Sequence, residues 1–188
     1  MIEIAAPFAP IHRGLDVCGP RTDLDEQEIR LRLPMYRFEC MYLRKAALRD
    51  EVFESEFATF RHPFTVTDPR HLTREHVLAY VTQASYVFVG LLCDLRQHWG
   101  LNNNDFIQLA LDEQTTFTRI EMRFRKFVRN RDGITMRMTC NQERFFNRRL
   151  FLRLGFEFPD GCDGTCEGII AVDHSLRVGS SCLTNEGR

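Results

Sequence analysis

Charge of one sign is not in excess in this chain: 25 Lys and Arg stand against 26 Asp and Glu across 188 residues, a formal net charge of -1. That balance argues against bulk nucleic-acid binding and leaves room only for a local basic patch. Long unbroken hydrophobic runs are also missing. The greasiest stretch, Val77 to Cys93, is interrupted by Tyr80, Thr82, Gln83, Ser85 and Tyr86, so no membrane span is expected. No basic-then-apolar N-terminal stretch resembles a signal peptide, which disfavours secretion. Gly-rich phosphate loops and the G-x-S-x-G, H-E-x-x-H and EF-hand patterns are absent, which removes the usual signatures of nucleotide hydrolases, serine hydrolases and metalloproteases. No bound cofactor is expected.

Paired cysteines are lacking too. Cys18, Cys40, Cys93, Cys140, Cys162, Cys166 and Cys182 are odd in number and scattered, the pattern of free thiols in a cytoplasmic protein. Only Cys162 and Cys166 lie close together, and without a second pair or a nearby His they leave a zinc site half built. No metal is expected.

What is present, 44% hydrophobic and 27% charged residues, describes one globular domain with a single core. Residues 1–28 mix Pro, Gly and charge without a period, and 175–188 run out in Gly, Ser and Asn. Both read as flexible ends around a domain at 29–174. Ile29, Leu31 and Leu33 alternate with Arg30 and Arg32 as in a short strand ended by Pro34. Strand signals follow over Met41 to Leu48 and Val52 to Phe60, the second with Phe53, Phe57 and Thr59 on one side, and the two are expected to pair antiparallel.

Then the period changes. Thr73 can cap a helix to about Asp94 whose Val77, Leu78, Val81, Ala84, Phe88, Val89, Leu91 and Leu92 are apolar over far more than one stripe, so other structure must wrap it. Residues 106–111 fit a turn or a short helix. Beyond them, residues 116–128 alternate, 130–133 supply turn chemistry and 134–140 alternate again, a pattern that predicts a long β-hairpin. Residues 145–158 and 165–172 continue the meander. Strands, one long buried helix, then long strands predict an α+β fold in which an antiparallel sheet wraps a central helix.

On that helix His76, Tyr80, Gln83 and Tyr86 recur on one side and would form a polar seam in an apolar cavity. Fixed donors in a dry site can polarise a carbonyl or a nucleophile. Equally, buried Gln, Tyr and His can simply bond backbone carbonyls of the sheet. His71, two residues before Thr73, sits where a ligand carbonyl would meet the free N–H groups of the helix start, and imidazole suits proton transfer near neutral pH. Between Phe117 and Arg153 eleven Lys and Arg face Glu121, Asp132 and Glu143, a local excess of eight. Such strands usually turn a solvated face outward, but they could also receive the phosphates of coenzyme A or an acidic carrier protein. Alternation puts Arg123 and Arg125 together on that outward face.

In its ordered set of motifs the chain resembles the hot-dog superfamily, and within it the FcoT-type fatty acyl thioesterases, a family that includes enzymes adding glycine to enoyl-acyl-carrier thioesters. The motifs are Pro34, Met35 and Tyr36 followed by Cys40 to Leu43, Arg70 and His71 before the helix, Gln83 to Tyr86 within it, and Arg123 to Lys126 later. The resemblance implies a hot-dog fold that pairs as a homodimer or higher homo-oligomer. It also implies a cofactor-independent activity on a fatty acyl or enoyl thioester of coenzyme A or acyl carrier protein. His71, Gln83 and Tyr86 fall at its catalytic positions and Tyr36 at a pocket position. A Tyr that the family places before the helix falls at Phe64 or Thr65, and its polar Asn positions at Thr73 and Thr82. Thr73, His76, Tyr80 and Thr82 are, with Arg123 and Arg125, the remaining candidates for substrate contact. Hot-dog dehydratases, the neighbouring comparison, carry an acid four positions before a Gln like Gln83, where this chain has Ala79. A noncatalytic acyl-binding subunit is the competing class.

Overall fold

The structure, a computed structural model, describes residues 22–59 and 69–172. Its elements are β1 (Thr22–Leu24), α1 (Glu26–Arg32), β2 (Leu43–Arg49), β3 (Val52–Phe57), α2 (Arg74–Leu95), α3 (Asn103–Leu111), β4 (Thr115–Phe124), β5 (Ile134–Phe146), β6 (Arg149–Phe158) and β7 (Cys162–Ala171). Seven strands form one antiparallel sheet in the order β1-β2-β3-β5-β6-β7-β4. The sheet wraps α2, and the fold is a hot-dog.

Two faces build the core. Phe53 and Phe57 of β3, Met136 and Met138 of β5, alternate residues Leu150 to Phe158 of β6 and Cys166 and Ile170 of β7 are buried on the side that meets α2. Along α2 nearly every position from Val77 to Cys93 is buried, and Phe88 stacks on Phe53 with ring centroids 5.3 Å apart. Each such side chain taken from water contributes about 1.5–3 kcal/mol. By length and composition α2 could cross a membrane, but 78% of its apolar window is buried inside the fold, so the sheet already supplies its apolar surroundings.

Several expectations are corrected. Residues 29–33 are not a strand. Residues 29–32 belong to α1 and Leu33 is its C-cap, because Asp25 and Glu28 form a reciprocal capping box and Ile29 and Leu33, one helical turn apart, are the fully buried pair while Leu31 is 71% exposed. Residues 22–28, grouped by composition with the N-terminal segment, hold β1 and the start of α1. Thr59 lies beyond the end of β3.

The predicted hairpin of 116–128 with 134–140 does not form. β4 pairs with β7 at the sheet edge, and β5 lies between β3 and β6. The connection between them is tied instead to the segment before α2: Leu72 N–H donates to Val128 O, Asn130 N–H donates to Arg70 O, and His71 bridges Arg129. The turn residues 130–133 therefore carry the chain across the molecule. The expected strand at 145–158 is two strands joined at Asn147 and Arg148. Residues 103–111 form α3, capped by Asn102 and Asp105.

Candidate functional site

Three members of the α2 seam are engaged within the fold. The Gln83 side-chain oxygen accepts from the backbone N–H groups of Tyr42 (2.9 Å) and Leu43 (3.1 Å), and its amide donates to Cys40 O (2.6 Å). Gln83 thereby clamps the start of β2 to the helix. Tyr80 is fully buried, donates to Ala58 O (3.0 Å) and stacks on Phe57. His76, also fully buried, takes the Thr73 N–H at Nδ1 (3.1 Å) beside the Thr73 hydroxyl (2.6 Å), while its Nε2 lies 3.2 Å from the Asn130 amide. Thr73 and His76 therefore close the first turn of α2 together. Thr82 donates to Leu78 O of its own helix (2.7 Å). Phe64 and Thr65 lie outside the described residues.

Tyr86 differs. Half-buried, it packs edge-on to Tyr36 and Phe117 and tilted to Phe106, and it lines a small apolar pocket with Val89, Leu152, Leu154 and Gly168. That pocket measures about 20 Å³, room for roughly one water. Burial, and secondarily the neighbouring Tyr86, pushes the Tyr36 phenol well above its ordinary value, so it stays protonated at any working pH.

His71 stands apart from this group. It is exposed in the segment before α2, edge-on to Phe127 at 4.9 Å. Gln83 faces the start of β2 and Tyr86 faces α3 and β4, so the structure does not gather His71, Gln83 and Tyr86 around one point.

A larger concavity of about 850 Å³ curls over the β4 edge near the start of α2. Leu78 of α2 and Ile120 and Met122 of β4 form its apolar side. Strand alternation sends Glu121, Arg123, Asp163 and Thr165 to the opposite face, and Arg74, Glu75 and Arg153 complete the lining. Arg125 grips Asp163 through two hydrogen bonds (2.8 and 3.2 Å), with Arg123 at 3.9 Å. Those hydrogen bonds, followed by the charges of both guanidiniums, hold the Asp163 carboxyl below its ordinary value. Arg123 and Arg125 therefore share one face, as alternation predicts. Asp163 was missed because the register that sets it opposite Arg123 joins residues 40 apart, and no local pattern announces such a pairing.

Among the described residues no group of three His, Cys, Asp or Glu gathers to hold a metal ion. Cys162 and Cys166 are both buried on β7, and four strand residues separate them by about 13 Å, too far to share an ion.

No protein-family model and no curated protein matches the chain. Among solved structures it is similar to an HP0420 homologue from Helicobacter felis, at 9% identity over 77% of this chain and 88% of that one, with a TM-score of 0.46. The dehydratase domain from the CurJ module of the curacin polyketide synthase shares 11% identity over 82% of this chain and 50% of that one, at 0.49. The dehydratase heterocomplex ApeI:P from Xenorhabdus doucetiae shares 10% identity over 80% and 94%, at 0.45. The fold assignment rests on the sheet order and the buried α2 described above.

Proposed function

We propose that the chain is an enzyme acting on a fatty acyl or enoyl group held as a thioester on coenzyme A or an acyl carrier protein, as its resemblance to FcoT-type thioesterases implies. The observation that carries the reading is the two-sided concavity at the β4 edge. Its apolar side (Leu78, Ile120, Met122) suits an acyl chain, and its polar lining offers the guanidiniums of Arg74, Arg123 and Arg153, set among the carboxylates of Glu75, Glu121 and Asp163, to the phosphates of a carrier arm. Arg125, on the face of Arg123, is paired with Asp163 beside that lining.

We assign the role of proton-transfer group to His71, three residues before Arg74, which lines the concavity. In hydrolysis it takes a proton from water as the water oxygen bonds to the thioester carbonyl carbon. The tetrahedral adduct then collapses, the C–S bond breaks, and the proton passes to the departing thiolate. With glycine as nucleophile the amine would instead add to the β-carbon of an enoyl group, and the proton would end on the α-carbon. Gln83 acts indirectly, by holding the start of β2, and Tyr86 with Tyr36 shapes the apolar interior.

A second reading, a noncatalytic acyl-binding subunit, is favoured by one observation: Tyr80, Gln83 and His76 are engaged by partners inside the fold. Mass spectrometry after incubation with a panel of coenzyme A and carrier-protein thioesters, with and without glycine, separates the two. Free acid or a glycine adduct supports the enzyme, whereas saturable binding with the thioesters recovered intact supports the binding subunit.

A further inference from the structure

At the other end of the sheet from the start of α2, β5 outruns its neighbour: β3 pairs only with Ile134 to Thr139. The remaining hairpin tip, residues 143–149, is exposed at every position. Phe145 and Phe146 there are 45% and 53% exposed. In the register, Phe145 lies opposite the buried Leu150 and Phe146 opposite Arg149, so one ring projects from each face of a narrow blade. Arg144 lies over the Phe146 ring, 5.5 Å from its centroid.

Residues 144–149 contain Arg144, Arg148 and Arg149 and no carboxylate. The nearest one, Glu143, is ion-paired with Arg96. The turn itself places Asn147 and Arg148 at φ 47° and 58°, the left-handed pair of a two-residue hairpin loop in which Asn and Gly are the usual occupants. A long cation thus stands at the apex, where a glycine would ease the backbone.

We propose that this tip docks on an anionic lipid surface. Rings on both faces of a convex blade can enter the boundary between headgroups and acyl chains, while the three guanidiniums remain among the lipid phosphates. A flat protein surface would cover one face and leave the other ring in water. The inference is independent of the acyl-thioester reading.

Co-sedimentation of the full chain with phosphatidylcholine vesicles, with and without phosphatidylglycerol, tests it. Binding is expected only to vesicles containing phosphatidylglycerol and should weaken as salt rises. Phe145→Ser with Phe146→Ser, and separately Arg148→Glu with Arg149→Glu, should each lower vesicle affinity by about 10-fold or more. Thermal melts check folding, and if the Phe pair lowers the melting point, the exposed Arg pair carries the test. Wild-type binding that ignores lipid charge, no wild-type binding, or wild-type affinity retained by both variants would overturn the proposal. Failure on vesicles together with retention on an immobilised acidic carrier protein, lost in the same variants, would also overturn it and assign the tip to a protein partner.

Discussion

Gln83 and His71 separate structural polarity from chemical polarity at the scale of single residues. Gln83 satisfies three backbone groups of the segment leading into β2. Gln83→Ala should therefore destabilise the fold by about 1–3 kcal/mol, a fall of roughly 2–4 °C in Tm per kcal/mol at this chain length. His71→Ala, at an exposed position, should leave the Tm unchanged and lower turnover on a thioester by about 10²- to 10⁴-fold. Calorimetry and steady-state kinetics on both variants check the pair. The polarity of the seam was legible, because Gln and Tyr interrupt a greasy run. Its partners were not, since Cys40, Tyr42 and Leu43 lie some forty residues away and donate or accept through backbone atoms that carry no side-chain signature.

Two glycines on the same face of β7 carry opposite expectations at the scale of elements. A Cβ at Gly164 would stand 2.0 Å from the backbone oxygen of Glu121, so Gly164→Ala must push β4 away from β7. Overpacking of this kind costs about 1–3 kcal/mol, and it should also disturb the Arg123 and Asp163 side of the concavity. At Gly168 the nearest atoms to an added Cβ are 3.6 Å away in ordinary contact, and Gly168→Ala should be neutral or slightly stabilising. Urea unfolding of the two variants decides whether β4 and β7 approach as described.

The α2 boundaries and the β2–β3 pair were readable because local chemistry sets them, whereas the last strand, expected from 165, begins at Cys162. α1 was misread because Ile29 and Leu33 satisfy both periods, and only the Asp25 and Glu28 cap distinguishes a helix. The partner of β4 was misread because turn residues at 130–133 announce a change of direction without naming the strand that receives it.

The whole molecule should be sensitive to alkali. Burial pushes Cys93 up to about 12, with Asp94 and Asp105 adding to the shift, and pushes Cys162 and Cys166 up to about 11. An acid whose folded value is raised releases its proton first in the unfolded chain. These thiols therefore contribute full stability below about pH 8.5, the unfolded thiol value, and lose it as pH climbs through the folded values. Urea midpoints should hold below that pH and fall between about 9 and 12, and Cys93→Val should fall less steeply.

β4 is a ten-residue edge strand with one paired side, a template for joining a second copy. Sedimentation at twice the chain mass is the expected result, and a monomer at every concentration would exclude edge pairing.

The central claim is that His71 drives chemistry on an acyl thioester. The direct measurement is the rate of product formation by wild type and by His71→Ala on the thioester panel, with and without glycine, read by mass. Wild type should release acid or form the adduct, and a folded His71→Ala should lose at least about 100-fold of that rate. Equal rates in the two proteins, or intact thioesters after incubation with wild type, would contradict it.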